Sequence, residues 1–237
     1  MDLARLLQLA RASRRAYGDG DPLPGFGETR IAVGAMQALV LKGAEEAILA
    51  FRGTDPGQSR DWLADLDAAY APAFGAKVHH GFLAGLLDLW PGVLAALGPE
   101  PLWVTGHSLG GALATLGALQ AVGTGLTVRG VATFGSPAVG DRAFVAAFTE
   151  ALGDRSDRVV HGNDPVPRVL NPFWGYAQVP RLRYLDREGR LREAPGWAVR
   201  TWDRVLDWGR HPLELPTAGA GDHPITTYLQ ALEKLAP

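Results

Sequence analysis

The sequence LWVTGHSLGGALATLGAL, residues 102–119, joins an apolar run to a helix-like segment through a short turn. Gly106 and Gly110 flank Ser108, and glycines at this spacing allow a sharp turn between a strand and a closely packed helix. Such a turn projects the Ser108 hydroxyl beyond the carboxyl edge of the sheet and directs the first helical N–H, that of Leu109, to the same place. The same spacing also arises by chance in a chain with 30 glycines, where Ser108 would only be a small turn residue. The apolar runs on both sides favour a nucleophilic serine.

Strand-like and helix-like segments alternate on both sides of this turn. The strand-like segments are residues 77–80, 102–105, 129–134 and 158–161, and the helix-like ones are residues 82–97, 109–122 and 142–152. This alternation predicts an α/β fold with a mainly parallel central sheet and helices on both of its faces.

The flanking segments extend this prediction. The first 17 residues predict an amphipathic helix with Leu3, Leu6, Leu7 and Ala10 on one face. Two β-like runs follow at residues 29–43 and 45–53. Beyond Pro165 the sequence predicts a strand pair within residues 181–191, a Trp-rich segment at 197–208 and a closing helix from about Pro224. We expect one domain over residues 1–237, because neither a repeat nor a long linker divides the chain.

The composition excludes several function classes. With 23 Lys and Arg against 25 Asp and Glu, the net charge of -2 predicts neither a nucleic-acid partner nor a polybasic membrane anchor. The chain has no cysteine, which excludes disulfides, thiolate chemistry and cysteine-ligated metal sites. Arg5 and Arg11 interrupt the N-terminal apolar residues, so this stretch does not read as a signal peptide, and no run has the roughly 20 apolar residues of a transmembrane segment. We therefore expect a soluble, cytoplasmic protein.

A nucleophilic serine needs a histidine base, and the chain has six histidines. His107 lies inside the turn itself and is expected to pack or to form hydrogen bonds, while three others lie in strand-like segments (His79, His80 and His161). His223 lies in a Gly-rich loop just before the closing helix, which is where folds of this type place the base. His211, at the end of the Trp-rich segment, is the weaker candidate.

A carboxylate must orient that histidine, and Asp164 is the preferred candidate. It follows a strand-like segment in the turn NDPVP, and it lies between Ser108 and His223 in the chain, which is the expected order. An Asn-Asp-Pro sequence is also ordinary turn chemistry. Asp186 is a serious rival, although its surroundings resemble a hairpin tip. Three other aspartates are predicted at helix ends or at the back of the sheet: Asp141, Asp154 and Asp157.

Several short motifs in one order make the chain resemble the class 3, or fungal-type, triacylglycerol lipases of the α/β-hydrolase superfamily. The motifs are AILAFRGT, RDWLADL, VHHGF, VTGHSLGGALA, TFGSPAVGD, HGNDPVPR and DHPITTYL. The resemblance runs from about residue 48 to residue 169, with a weaker return at His223. It implies that Thr54, at the end of the FRGT motif, supplies the second oxyanion donor beside the Leu109 N–H, although Thr54 also suits a strand terminus that caps a helix.

In secreted relatives, the stretch after the FRGT-like motif forms a lid, which corresponds here to residues 55–72. Trp62, Leu63 and Leu66 fall on one helical face of this stretch, with charged residues largely on the other. A lid needs this amphipathic pattern, but an ordinary surface helix has it too. A lid at residues 55–72, and contact of these three residues with substrate, are therefore hypotheses. An ordinary surface helix is the alternative.

Two features depart from secreted members of this family. We expect neither a signal peptide nor disulfides, which makes an intracellular esterase or lysophospholipase more credible than an enzyme that digests external fat. Few Lys and many Ala, Gly, Leu, Pro and Arg indicate a bacterial source with GC-rich or heat-adapted composition.

Residues 171–216 carry several aromatic side chains that either line an acyl pocket or pack in the core, and packing is favoured for most of them.

These observations predict a serine carboxylic-ester hydrolase that cleaves acylglycerols or related lipid esters through an acyl-enzyme on Ser108, with no metal or organic cofactor. Its expected partners are a lipid or small ester substrate and transient contact with a lipid surface. The alternatives are a lysophospholipase or phospholipase A-type hydrolase, or a relative that binds lipid without turnover. Arg168, Arg181 and Arg183 are candidates for a phosphate clamp, although a solvated surface is the simpler interpretation.

Overall fold

The structure is a computed structural model that describes residues 1–54, 67–170, 172–186, 188–194, 196 and 220–236. Its helices within these residues are α1 (Leu3–Ala16), α2 (His80–Ala96), α3 (Leu109–Gly123), α4 (Arg142–Leu152) and α5 (Ile225–Glu233). The first five strands are β1 (Gly27–Val33), β2 (Met36–Lys42), β3 (Ala47–Phe51), β4 (Tyr70–Ala73) and β5 (Ala76–His79). The remaining strands are β6 (Leu102–His107), β7 (Val128–Phe134), β8 (Ser156–His161), β9 (Leu182–Leu185) and β10 (Leu191–Glu193).

Within the described residues, an eight-stranded sheet forms the centre of the molecule, in the order β1-β2-β3-β6-β7-β8-β9-β10. Each neighbouring pair from β3 to β9 is parallel. Antiparallel pairs extend the sheet at both edges, through β1 and β2 on one side and β10 on the other. The predicted mainly parallel central sheet is confirmed.

Helices cover both faces of this sheet, also as predicted. Because β3, β6, β7 and β8 lie side by side in chain order, right-handed crossovers bring α2, α3 and α4 to the same face. There Phe51 of β3 packs in one apolar cluster with residues such as Leu86 of α2 and Leu113 of α3. The opposite face is covered by α1 and α5, where Ile48 of β3 lies in a second cluster with Leu9 and Leu232. All five residues of β3 are buried because both of its faces are covered.

Two predicted segments differ from the structure. The β-like run at residues 29–43 forms two strands, because Gly34, at φ 57°, lets the chain reverse between Val33 and Met36. The strand predicted at residues 77–80 pairs with β4 in a separate two-stranded sheet rather than in the central one. Of the proposed lid at residues 55–72, residues 55–66 lie outside the described residues, and the last three belong to β4.

The two ends of the described chain agree better with the predictions. Asp2 caps α1 by accepting a 2.8 Å hydrogen bond from the Arg5 N–H. Leu6, Leu7 and Ala10 are buried on the predicted face, while Leu3 is half-buried. The strand pair β9 and β10 and the closing helix are present, and residues 197–208 lie outside the described residues. In the part of the chain that the structure covers, no helix has the length and apolar character needed to cross a membrane.

Candidate active site

The turn between β6 and α3 holds Ser108 in a strained conformation. Its φ of 59° and ψ of -128° lie outside the regions that side-chain-bearing residues usually adopt. A Cβ on Gly106 would lie 2.1 Å from the Gly110 carbonyl oxygen, and one on Gly110 would lie 2.1 Å from the Phe51 carbonyl oxygen. Both distances are far inside van der Waals contact, so only glycine fits at either position. This close packing of α3 on β3 and β6 fixes the serine at the carboxyl edge of the sheet.

The structure brings the three residues predicted for acid–base chemistry into one hydrogen-bonded line. His223 Nε2 lies 2.9 Å from Ser108 Oγ, and His223 Nδ1 lies 2.9 Å and 3.0 Å from the two carboxylate oxygens of Asp164. All three side chains are buried. Because a carboxylate only accepts, Nδ1 carries the proton and Nε2 accepts from the serine hydroxyl. This is the arrangement in which a histidine can deprotonate a serine.

Two neutral groups also donate to Asp164. The Val166 N–H donates to Oδ1 at 2.9 Å, and the Tyr228 hydroxyl donates to Oδ2 at 2.6 Å. Burial, reinforced by the negative charge of Asp164, raises the pKa of the Tyr228 hydroxyl well above its usual range, so it stays a donor. Tyr228 was not among the residues predicted from the sequence. Its signal lay in the terminal DHPITTYL motif, where it stands five residues after His223.

The loops that carry the acid and the base are tied together next to these side chains. The Asp222 carboxylate accepts a 2.8 Å hydrogen bond from the Asn163 N–H, joining the residue before His223 to the residue before Asp164. Gly135, at φ 59°, leaves room for both, because a Cβ there would lie 2.5 Å from Asp164 Oδ2 and 3.2 Å from His223 Nδ1. The spacing of the triad therefore depends on contacts that the sequence alone did not indicate.

His107 holds the main chain of His223. Its Nε2 lies 2.6 Å from the His223 carbonyl oxygen, and its Nδ1 lies 2.8 Å from the hydroxyl of Tyr17, the residue just after α1. Burial and then the neighbouring His223 hold the pKa of His107 well below its usual value, so the ring is neutral. The expectation that His107 forms hydrogen bonds is confirmed.

Of the residues predicted as oxyanion donors, Leu109 directly follows Ser108, and Thr54 follows Gly53, which packs against Ser108. Leu109 is the first residue of α3, and N–H groups at that position have no partner four residues earlier in a helix. On the other side, a Cβ on Gly53 would lie 3.2 Å from Ser108 Cβ and 2.5 Å from the His107 carbonyl oxygen. The end of β3 thus approaches the serine closely, and Thr54, half-buried, is the next residue.

Four other predicted residues lie outside the described residues: Trp62, Leu63 and Leu66 of the proposed lid, and the rival base His211. The remaining histidines take other positions. His79 caps α2 by accepting from the Phe82 N–H, and His80 is exposed. His161 packs edge-on against the Tyr228 ring.

The rival aspartates each have a structural partner or are exposed. Asp141 caps α4, Asp154 is exposed, and the buried Asp157 pairs with Arg181 and the amino terminus. Asp186 is also buried, and it binds two guanidinium groups, those of Arg190 and Arg192. Asp164 is therefore the predicted carboxylate that meets His223.

The structure describes the three arginines considered as a phosphate clamp and three aromatic residues near the start of the segment 171–216. Arg181 and Arg183 pair with Asp157 and Glu193, and Arg168 lies 3.5 Å from the Asn163 side-chain oxygen. Tyr176 is buried as expected. Its neighbours Phe173 and Trp174 are 97% and 52% exposed, and the three other tryptophans of this segment lie outside the described residues.

Comparison with known proteins identifies the family to which the chain belongs. Residues 48–174, more than half of the chain, match the family described as Lipase (class 3). The chain belongs to the class 3 lipase family. This confirms the resemblance drawn from the motifs, and the matched residues include four of the five residues of β3, the Ser108 turn and Asp164.

Individual relatives show how far the likeness extends. This class 3 lipase family member is 32% identical over 168 residues to Secreted mono- and diacylglycerol lipase 1 of Fusarium solani, covering 67% of this chain and 49% of that one. It is 30% identical over 179 residues to Phospholipase A1-II 3 of Oryza sativa subsp. japonica, covering 59% and 42%. The Rhizomucor miehei triacylglyceride lipase structure matches with a TM-score of 0.69 at 22% identity, covering 81% of this chain and 83% of that one.

These comparisons confirm the α/β-hydrolase-type fold, but they support narrower conclusions about activity and location. The chain spans about half or less of the length of these curated relatives. The relatives are fungal and plant proteins, one of them named as secreted, so they do not support a bacterial source or a cytoplasmic location. The cytoplasmic location stays a prediction.

Proposed function

We propose that this class 3 lipase family member is a serine hydrolase that cleaves acylglycerols or related lipid esters through an acyl-enzyme on Ser108. The observation that carries the proposal is the buried line from Ser108 through His223 to Asp164, with hydrogen bonds of 2.9 Å on both sides of the imidazole. A protein that only binds lipid has no need of this line.

The acylation half of the reaction uses each member of this line. His223 Nε2 takes the proton of Ser108 as Oγ forms a bond to the ester carbonyl carbon, and the carbonyl oxygen becomes an oxyanion. Asp164 stabilises the imidazolium, and the N–H groups of Leu109 and Thr54 bind the oxyanion. The bond between carbon and the alcohol oxygen then breaks, and His223 returns its proton to the departing alcohol.

Deacylation repeats these steps with water in place of the serine hydroxyl. His223 takes a proton from water as its oxygen bonds to the acyl carbon, and the fatty acid leaves when the bond to Ser108 breaks and Oγ regains the proton. Trp62, Leu63 and Leu66 are proposed to contact the lipid, and transient contact with a lipid surface belongs to the same proposal.

The test measures covalent labelling of Ser108 and the turnover of a His223 variant, each against a control variant. We expect a fluorophosphonate to add one adduct to wild type at Ser108 and none to Ser108→Ala. We expect His223→Ala to lower kcat for p-nitrophenyl esters by on the order of 10⁶-fold, while the same change at the exposed His80 leaves kcat unchanged. An adduct on another residue, or near-native turnover in His223→Ala, would refute the assignment.

A phospholipase A-type activity is the second candidate, favoured by the likeness to the rice phospholipase A1. The ion pairs of Arg181 and Arg183 with Asp157 and Glu193 do not support these two residues as a phosphate clamp. Rates on esters from acetate to palmitate, on emulsified di- and triacylglycerol, and on phospholipid and lysophospholipid separate the candidates. We expect the acylglycerols to be preferred; faster release of fatty acid from phospholipid would favour the second candidate.

A further inference from the structure

A chain of hydrogen bonds connects Tyr17, which is half-buried, through the buried His107 to the main chain of His223. Tyr17 follows the last residue of α1, its hydroxyl lies 2.8 Å from His107 Nδ1, and His107 Nε2 lies 2.6 Å from the His223 carbonyl oxygen. The two imidazole rings lie 4.6 Å apart between centroids. His107 is therefore the neighbour of the nucleophile in sequence and the neighbour of the base in space.

The direction of each hydrogen bond is set by the chemistry of the partners. A carbonyl oxygen only accepts, so Nε2 of His107 carries the ring proton and donates it to His223. The other nitrogen, Nδ1, then has a lone pair and accepts from the Tyr17 hydroxyl. Tyr17 thus fixes the tautomer in which His107 can hold the His223 carbonyl, as partners of metal-binding histidines do in other proteins.

The same tyrosine also lies against the opposite side of the site. Its hydroxyl oxygen would lie 2.3 Å from a Cβ on Gly53, the residue before the predicted oxyanion donor Thr54. One side chain at the end of α1 therefore packs between the end of β3 and the histidine at the end of β6. A shift of α1 would therefore displace residues on both sides of the reaction centre.

We propose that Tyr17 and His107 are positioning residues that hold His223 in register with Ser108. The inference rests on the proposed function in that it assigns His223 as the base. His223 lies between the short helical turn Ala220–Asp222 and Pro224, and its side chain must keep 2.9 Å contacts to Ser108 and Asp164. Small displacements of such a group reduce the rate steeply, because proton transfer needs close, aligned atoms.

The test replaces the two residues by variants that remove or retain the donor. His107→Leu removes the donor to the His223 carbonyl, whereas His107→Gln carries an amide N–H at about the same reach. We expect kcat to fall about 50-fold in His107→Leu, about fivefold in Tyr17→Phe and about threefold in His107→Gln, with KM unchanged. If His107→Leu does not fold, Tyr17→Phe, which removes the hydroxyl bound to His107 Nδ1, still tests the inference.

A matched control separates positioning from stability. Ser13 lies one turn before Tyr17 on α1, and its buried hydroxyl bonds to Thr105, two residues before His107. Ser13→Ala therefore removes a buried hydrogen bond between the same helix and the same strand without touching His223. We expect it to lower the melting temperature as much as Tyr17→Phe while kcat stays within about twofold of wild type.

A double-mutant cycle shows whether the effect passes through His223. In a His223→Ala background, His107→Leu and Tyr17→Phe should leave the residual rate unchanged, because the group that they position is gone. The inference is overturned if they lower that residual rate by the same factor as in wild type, or if kcat in the wild-type background is unaffected.

The rate of fluorophosphonate labelling of Ser108 separates this inference from the proposed function. Labelling reports activation of the serine by His223 and needs no ester substrate. Slower labelling in Tyr17→Phe and His107→Leu, with recovery in His107→Gln, supports the inference even if wild type hydrolyses none of the esters, which would refute only the proposed function. Equal labelling in all variants of an active hydrolase refutes only the inference.

Discussion

Two buried aspartates follow neighbouring parallel strands, and they differ in what binds them. Asp164 follows β8 and Asp186 follows β9, and both side chains are almost completely buried. Asp164 accepts hydrogen bonds from neutral donors, the Val166 N–H and the Tyr228 hydroxyl, besides His223. Asp186 accepts from the guanidinium groups of two arginines.

The difference in donors separates a carboxylate that can serve acid–base chemistry from one that stabilises a hairpin. Burial works to raise the pKa of Asp186, but the hydrogen bonds from Arg192 and Arg190 outweigh it and hold the pKa below its usual range. Two cations already compensate the charge of Asp186. Around Asp164 the donors are uncharged, so its negative charge remains available when His223 becomes an imidazolium.

Replacing Asp164 should cause the larger loss. We expect Asp164→Asn to lower kcat about 10⁴-fold, because an amide neither stabilises the imidazolium nor fixes the required tautomer of His223. Stability should change little, since the amide oxygen can still accept from Tyr228. Ester hydrolysis and thermal unfolding measure the two effects, and an equal loss of kcat in Asp186→Asn would remove the distinction between the two aspartates.

The same substitution at Asp186 should have the opposite profile. We expect Asp186→Asn to leave kcat within about twofold and to lower the free energy of unfolding by about 2 kcal/mol. This is less than for a fully buried pair, because Arg190 and Arg192 are 58% and 37% exposed and can be solvated. Denaturant unfolding at pH 7 measures the change, and an unchanged midpoint would contradict the structural role.

The pH dependence of stability gives a further readout for Asp186. Its pKa is lower in the folded protein than in the unfolded chain, so the unfolded state binds more protons in acid. The stabilisation is complete above the unfolded pKa of about 4 and is lost as the pH falls through the lower folded value. Stability should fall less steeply with acid below pH ~4 in Asp186→Asn than in wild type.

The smallest expected effect concerns the neutral donor to Asp164. We expect Tyr228→Phe to lower kcat about tenfold, because one hydrogen bond that orients the carboxylate is lost. Tyr184→Phe is the control, since its buried hydroxyl donates to the Gly162 carbonyl at 3.1 Å and not to Asp164. Similar losses of kcat in both variants would show that buried hydroxyls in this region act through stability alone.

The sequence predicted the parts of the site that depend on local spacing and chain order. The glycines around Ser108 fixed the turn because their spacing has a direct steric meaning, as the 2.1 Å approaches show. Asp164 is preferred over Asp186 in the sequence because it follows a strand-like segment in a turn, whereas the surroundings of Asp186 resemble a hairpin tip. The structure adds a physical reason, the arginines four and six residues after Asp186. Those arginines were visible in the sequence, but the hairpin that folds them back was only partly predicted.

Contacts between distant segments could not be predicted in the same way. Tyr17 lies 90 residues from His107, and no local pattern relates the end of a helix to a strand so much later in the chain. The functional roles of Ser108, Asp164, His223 and Thr54 remain predictions until the variants are measured.

The order of the site's elements along the chain has a consequence for synthesis on the ribosome. The nucleophile turn is built from β3, β6 and α3, all of which have emerged by residue 123, while the base lies 115 residues after Ser108. Chains fold as they emerge, and the earlier parts are available first. A nascent chain stopped before residue 220 would present the strained Ser108 without His223, so the proposed hydrolysis would require synthesis to pass residue 223.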